Sequence, residues 1–240
     1  MTSSPEPPLR LLLKVSGEGF SRDGETGLDT ERVQVLADQL RHLTSKGVQV
    51  ACVIGGGNIL RGKQSSSLGI ARATADYMGM LATVINGLSL CDALEAHDVP
   101  TRVMSAIDVH KVCEPFIRRR AIRHLEKGRV VVLVGGLGSP YFTTDTASAQ
   151  RAIELDCSLL LKATMVDGVY DKDPNKFDDA KRYESLSFDE VISKKLQVMD
   201  QTAFTLCREH NLPIRVFDMA AESGLIKAAI QGGIGTTIKN

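Results

Sequence analysis

The chain has 240 residues, with 29 Lys+Arg against 29 Asp+Glu, 43% hydrophobic and 24% charged residues and no tryptophan. Balanced charge gives no electrostatic footprint for nucleic acid or an anionic membrane surface, so neither is expected as a partner. Five scattered cysteines with no C-x-x-C pair suit a reducing cytoplasm, with several as small core residues. No stretch reads as approaching the ~20 apolar residues of a membrane span. Residues 1–8 lack a basic and an apolar segment and read as a disordered tail, not a signal peptide.

Strands and helices alternate from Leu9 onward, which predicts an α/β fold with a mainly parallel sheet, in a single domain over residues 9–240. Strands are expected at 9–15, 48–54, 101–104, 129–134, 158–162 and 213–217, with a short last one at 235–238. Residues 30–46 form a helix with Val33, Leu36, Ala37, Leu40 and Leu43 on one stripe, stopped by Gly47. Residues 69–97 read as a long helix in which Gly79 and Gly87 mark a kink or close packing. A third helix is expected over 114–127, its Arg118, Arg119, Arg120 and Arg123 forming a solvated face or subunit contact. Residues 171–184 read as a surface excursion, and Ser187 to Glu190 as a capping box.

Chemistry concentrates at the strand ends. The apolar run Val50 to Ile54 stops in Gly55-Gly56-Gly57-Asn58, where bare backbone can approach a ligand and N–H groups can turn toward an anion. The first strand ends in Lys14, followed by Ser16 and Gly17, and a later strand ends in Lys162 before Ala163-Thr164. Residues 57–64 nearly match the P-loop pattern, but Gln64 has no hydroxyl for Mg²⁺, and the strand ending at Val134 runs into Gly135-Gly136 where an acid is needed. That near-match is read as coincidence. Arg61 keeps its interest as a guanidinium able to grip phosphate with two hydrogen bonds. Gly136-Leu137-Gly138 lacks the third glycine of a dinucleotide fingerprint, and Thr144 or Asp145 is expected to cap a helix over 146–155. Asp167-Gly168 gives a hairpin signal. The Asp171-Lys172-Asp173 stretch imitates a calcium loop, but Lys176 and Arg182 stand at its required glycine and glutamate, so calcium is rejected. The five histidines show no metal spacing.

So many glycine- and lysine-bearing strand ends exceed what one small anion needs; two phosphorylated ligands facing each other would use them. An acceptor phosphate is already anionic near neutral pH and needs no general base. The remaining barrier is repulsion between anions, which cations and backbone N–H groups must offset.

On these segments the chain resembles the bacterial uridylate (UMP) kinases of the amino-acid kinase superfamily, from about Leu9 to Thr237. The resemblance is carried by residues 11–18, 53–58 with Arg61-Gly62, 76–83, 140–145, 161–164 with 166–170, and 212–217. It implies a three-layer α/β/α sandwich, transfer of the ATP γ-phosphoryl group to UMP with Mg²⁺ carried by ATP, and a cytoplasmic homohexamer built from dimers. By position, Lys14, Val15, Ser16, Gly17, Gly57 and Arg61 would hold ATP phosphates, and Thr164, Tyr170 and Asp173 would receive adenine and ribose. Gly56, Asp76 and Leu137, Gly138, Ser139, Pro140, Tyr141, Phe142, Thr143 and Thr144 would line the UMP pocket, Asp76 taking the ribose hydroxyls. Lys14 and Lys162 would neutralise the transferring group, Asp145 would orient them, and Arg61 would assist. Arg22, Asp23, Gly24, Glu25, Thr26 and Gly27 would answer to GTP as activator, with UTP as inhibitor. Leu137 and Ser139 stand where the family carries a threonine and an asparagine, and Met165 replaces a common lysine. The glycine turn then reads as a divider, Gly56 toward UMP and Gly57 toward ATP, with any side chain at either intruding between the phosphates. The rival readings are a kinase of the same superfamily with a carboxylate acceptor, and an oxoanion-storage protein on the same fold.

Overall fold

A computed structural model describes residues 8–22, 24–60, 69–221 and 223–240. The strands are β1 (Arg10–Val15), β2 (Gln49–Ile54), β3 (Thr101–Ser105), β4 (Glu114–Pro115), β5 (Val130–Val134), β6 (Leu159–Thr164), β7 (Val169–Tyr170), β8 (Arg182–Tyr183), β9 (Ser185–Ser187), β10 (Ile214–Asp218) and β11 (Thr236–Lys239). The helices are α1 (Thr30–Thr44), α2 (Arg72–Glu95), α3 (Arg118–Glu126), α4 (Thr144–Glu154), α5 (Phe188–Ser193), α6 (Gln201–Glu209) and the single turn α7 (Gly224–Ile226). A nine-stranded sheet runs β4-β3-β5-β2-β1-β6-β10-β11-β9, while β7 and β8 pair apart from it. Every neighbouring pair in the large sheet is parallel except β10 and β11.

The period-2 alternation of the strands builds a layer of helices on each side. Leu11, Leu13, Val15, Val50, Cys52 and Ile54 join one core with Val33, Leu36 and Leu40 of α1 and Val84, Leu90 and Leu94 of α2. Leu12, Ala51, Val53 and Leu160 face the other way, toward Ala121 and Leu125 of α3, Ala147 and Ala152 of α4, and Phe204 and Cys207 of α6. This is the expected sandwich. Because Leu12 and Leu160 face the second core, Lys14 and Lys162, two positions on, turn to that same side, where α4 begins. β1 and β6 are neighbours with Lys14 opposite Lys162.

Some expectations change. The helix foreseen over 114–127 starts only at Arg118, because Pro115 has no N–H and disfavours helical backbone before it; Glu114–Pro115 instead pairs with β3 at the sheet edge. The cap of α4 is Thr143, not Thr144 or Asp145; its hydroxyl accepts from the Asp145 and Thr146 N–H groups. The strand after Asp167-Gly168 pairs with β8 and not back onto β6. α2 is, by length and composition alone, long and apolar enough to cross a membrane, which the sequence reading denied; here half of its apolar window is buried in the protein. Its Gly87 marks close packing, since a Cβ there would lie 2.4 Å from Val134 Cγ1. The capping box at α5 forms as expected. Cys52, Cys113, Cys157 and Cys207 are buried and Cys91 half-buried. Of the tail expected over residues 1–8, residues 1–7 lie outside the described residues and Pro8 is exposed.

Candidate active site

Two lysines on adjacent parallel strands repel one another and lose hydration on burial, so the site holds only if an anion stands between them. Asp145, in the first turn of α4, supplies it. One carboxylate oxygen lies 3.0 Å from Lys14 Nζ and the other 2.7 Å from Lys162 Nζ. Burial opposes the Asp145 charge more than any other single influence, but the two ammonium groups together outweigh it, holding the carboxyl below its ordinary value of 3.8. Lys162 is pushed below 10.5, chiefly by burial and further by Lys14, with Asp145 pulling the other way. The triad carries two cations against one carboxylate, a surplus suited to an arriving anion. Among the described residues Asp145 Oδ1 has no well-directed hydrogen bond beside its contact with Lys14.

The pH dependence follows from the sign of the Asp145 shift. Its value is lower in the folded chain than in the unfolded one, so its stabilisation is complete above 3.8 and is lost as pH falls through the folded value. Asp145→Asn is expected to cost about 3 kcal/mol at pH 7, because both lysines stay buried without their anion. Thermal melts from pH 7 to pH 3 should show the gap between variant and wild type closing at the acid end; parallel curves would exclude this.

A supporting layer lies behind the triad that sequence reasoning missed. Lys162 Nζ also donates to the Val198 carbonyl at 2.6 Å. Asp200, the cap of α6, accepts from the Ala203 N–H at 2.9 Å, from the Thr146 hydroxyl at 2.9 Å and from the Thr143 hydroxyl. Thr143 thus ties the start of α4 to the start of α6 and has its proton committed there. An aspartate before a helix looks like a cap in any sequence, so its second task leaves no local signal.

Beside the triad, the glycine turn after β2 is held by its surroundings. A Cβ on Gly17 would lie 2.3 Å from Gly57 N, and one on Gly55 2.7 Å from Gly17 N, so the turns after β1 and β2 pack backbone to backbone. Gly56 needs to be glycine for another reason than foreseen: its Cβ would meet the Gly79 carbonyl of α2 at 2.7 Å, not the ligand space. A Cβ on Gly57 would meet nothing within 4 Å among the described residues. The expectation changes for Gly56 alone; beside Gly57 the space is free of described protein atoms, as a place for phosphates requires. Two fully buried amides, Asn58 and Asn86, brace the turn. Asn86 Nδ2 donates to the Gly55 carbonyl at 2.8 Å and Asn58 Oδ1 at 2.7 Å, while Asn58 Nδ2 donates to the Gly27 carbonyl at 2.7 Å.

A cleft of about 480 Å³ opens from Gly56 and Gly57 between α2 and the segment after β5. Of the residues expected on the acceptor side, Gly56, Asp76, Leu137, Ser139, Phe142, Thr143 and Thr144 line it. Arg72, Thr83 and Gly136 also line it and were not foreseen. Gly138 instead packs on the Ala106 carbonyl, where a Cβ would sit at 2.6 Å. Tyr141 is 69% exposed with φ +73°, a left-handed conformation costing a non-glycine residue about 1 kcal/mol or more. Its N–H donates to Asp76 Oδ2 at 2.8 Å. Pro140 is half-buried beside it.

On the other side, Lys14, Val15, Ser16 and Gly17 sit at the end of β1, with Gly57 across from Gly17. The Thr164 hydroxyl donates to the Val166 carbonyl at 2.6 Å, shaping the turn after β6. Tyr170 bonds Asp167, and Asp173 accepts from the Asn175 N–H at 3.0 Å; neither bonds the lysine pair among the described residues. Arg61 and Asp23 lie outside the described residues. Arg22 pairs with Asp29 at 2.8 Å and lines a second cleft of about 490 Å³. Gly24, Glu25 and Thr26 are exposed, and Gly27 is anchored to Asn58.

The sequence profile of the amino acid kinase family matches residues 10–218. The chain belongs to the amino acid kinase family. Among members of this family, it is 49% identical to the uridylate kinase of Dichelobacter nodosus over 239 residues, 99% of either chain. It superposes on the UMP kinase of Ureaplasma parvum with a TM-score of 0.93 at 36% identity, covering 98% of this chain and 100% of that one. For the UMP kinase of Bacillus anthracis the TM-score is 0.93 at 38% identity, over 97% and 96%. The fold of an amino acid kinase therefore carries the lysine pair and the cleft described above.

Proposed function

We propose that this protein is a nucleoside monophosphate kinase that transfers the γ-phosphoryl group of ATP to UMP, giving UDP and ADP for pyrimidine nucleotide synthesis. The observation that carries the reading is the placement of the Lys14–Asp145–Lys162 triad at the ends of adjacent parallel strands, with the Asp76-bearing cleft opening from the neighbouring glycine turn. Donor phosphates enter over Gly17 and Gly57, and the acceptor lies in the cleft with its ribose hydroxyls on Asp76. The attacking phosphate oxygen of UMP is already anionic, and the β–γ bridging oxygen of ATP takes up negative charge as its bond to the γ-phosphorus breaks and ADP leaves. The buried lysines lower the barrier by opposing charge that grows in the transition state, and no base is required. Arg61 joins the donor side, Thr164, Tyr170 and Asp173 take the nucleoside of ATP, and Leu137 replaces a hydroxyl contact to uracil by an apolar one.

Mg²⁺ enters with ATP. No group of three His, Cys, Asp or Glu side chains fit to hold a metal occurs among the described residues, and Asp145 is engaged by two lysines. Such a donor set suits a cation that keeps its waters and is held mainly by substrate phosphates; bound there, it would neutralise charge on the transferring group.

Assembly from dimers into a homohexamer is supported by Tyr77, Leu81 and Ile85, which recur every fourth residue on α2 and remain about half exposed in one chain. GTP activation through the Arg22–Gly27 loop, UTP inhibition and a cytoplasmic location complete the reading. The test is ADP release with UMP, CMP, aspartate, glutamate and acetylglutamate assayed side by side, with and without GTP and UTP. UMP is expected to be the fastest acceptor; faster turnover of an amino acid would sink the proposal.

A further inference from the structure

Arg72, the first residue of α2, has no part in the reading above, and helix energetics do not explain it. Among the described residues no side chain caps α2, no acid occupies its first turn, and a cation at this end opposes the helix dipole. Its pair with Asp76, four residues on, runs in the less favourable direction for such pairs. The geometry around it is nevertheless closed. Arg72 Nε lies 3.0 and 3.2 Å from the two oxygens of Asp76. The second of those oxygens also accepts from the Tyr141 N–H. The Arg72 guanidinium carbon stands 6.0 Å from the centre of the Tyr141 ring, and Tyr141 is the residue held in left-handed backbone. Arg72 and Asp76 line the same cleft.

We infer that Arg72 is the positioning residue for the acceptor ribose: it locks the plane of the Asp76 carboxylate and, through Tyr141, the segment closing that side of the cleft. The inference rests on UMP being the acceptor with its ribose on Asp76. A carboxylate offers about four acceptor sites. The guanidinium and the Tyr141 N–H occupy part of that capacity and fix the orientation of what remains for two sugar hydroxyls. Without Arg72 a single backbone N–H, that of Tyr141, holds Asp76 among the described residues, and the carboxylate can turn. The loss should fall on recognition of the vicinal hydroxyls, leaving the lysine triad untouched.

The side chain of Arg72 is 67% exposed, so its removal is compatible with a folded protein. Arg72→Ala is expected to raise KM for UMP about tenfold, to change kcat much less, and to leave KM for ATP near the wild-type value. The preference for UMP over dUMP, taken as the ratio of their kcat/KM values, should fall by several-fold, because only UMP brings the 2′-hydroxyl. Arg72→Lys, which keeps the charge near Asp76, should recover part of both effects. An unchanged KM and UMP/dUMP ratio in Arg72→Ala would overturn the inference, as would an equal loss for the two nucleotides. A wild-type protein that fails to phosphorylate UMP would instead overturn the acceptor reading itself.

Discussion

Lys162→Ala is expected to lower kcat by ~10²-fold or more while UMP still binds, the signature of charge stabilisation realised in the transition state. The Lys162 side chain is only 13% exposed, its Nζ held at 2.7 Å by Asp145 and at 2.6 Å by the Val198 carbonyl, so its ammonium is aimed before any substrate arrives. Preorganisation of this kind is what makes a cation worth more in a site than in water. The variant should fold, because Asp145 keeps Lys14 at 3.0 Å and no carboxylate is left without a cation. Truncating Asp145 differs in this respect, since it strands two buried ammonium groups. Steady-state kinetics with calorimetric UMP binding separate the alternatives: binding kept and turnover lost is the expected pair. Unchanged kcat would remove Lys162 from the mechanism.

What the sequence made legible, and what it hid, divides along locality. Lys14 and Lys162 were recognisable because each follows an apolar run and precedes small residues, a signal contained in a few positions. Their pairing was not, since it depends on β1 and β6 being neighbours in register. The resemblance to known kinases supplied the triad that the residues alone left open. Asp200 and Asn86 escaped notice for the same reason: each acts on a partner brought close only by the fold, and each has an ordinary local explanation. The error at Glu114–Pro115 was local, a helical pattern carried back through a proline that lies in the edge strand ahead of α3. The long helix α2 was placed well, and close packing is found at both glycines, Gly87 against Val134 and the Gly79 carbonyl against Gly56. Sequence marks where backbone must come close; only the structure says to what.

That distinction yields the second large effect. Gly17→Ala is expected to lower kcat/KM by ~10²-fold or more and to cut stability by at least about 2 kcal/mol. The added Cβ would stand 2.3 Å from Gly57 N, 2.6 Å from Asn58 N and 2.8 Å from Asn58 Oδ1. Two of these are backbone atoms, and the third belongs to a buried amide with little room to give. Asn58 is held on one side by Gly27, with a carbonyl at 2.7 Å from its amide and an N–H at 2.9 Å from its own carbonyl, and on the other by Asn86. Relief requires separating the turn after β1 from the turn after β2, the two segments proposed to seat the donor phosphates and to open the acceptor cleft. Both KM values should therefore rise with the fall in kcat. Gly57→Ala is the discriminating control, because its Cβ, at the mouth of the cleft, meets no atom of the described residues within 4 Å. It should leave the melting temperature unchanged and alter only the response to substrate. If Gly17→Ala melts with the wild type and keeps its turnover, the two turns are not mechanically joined, and the brace built by Asn58 and Asn86 has no bearing on catalysis.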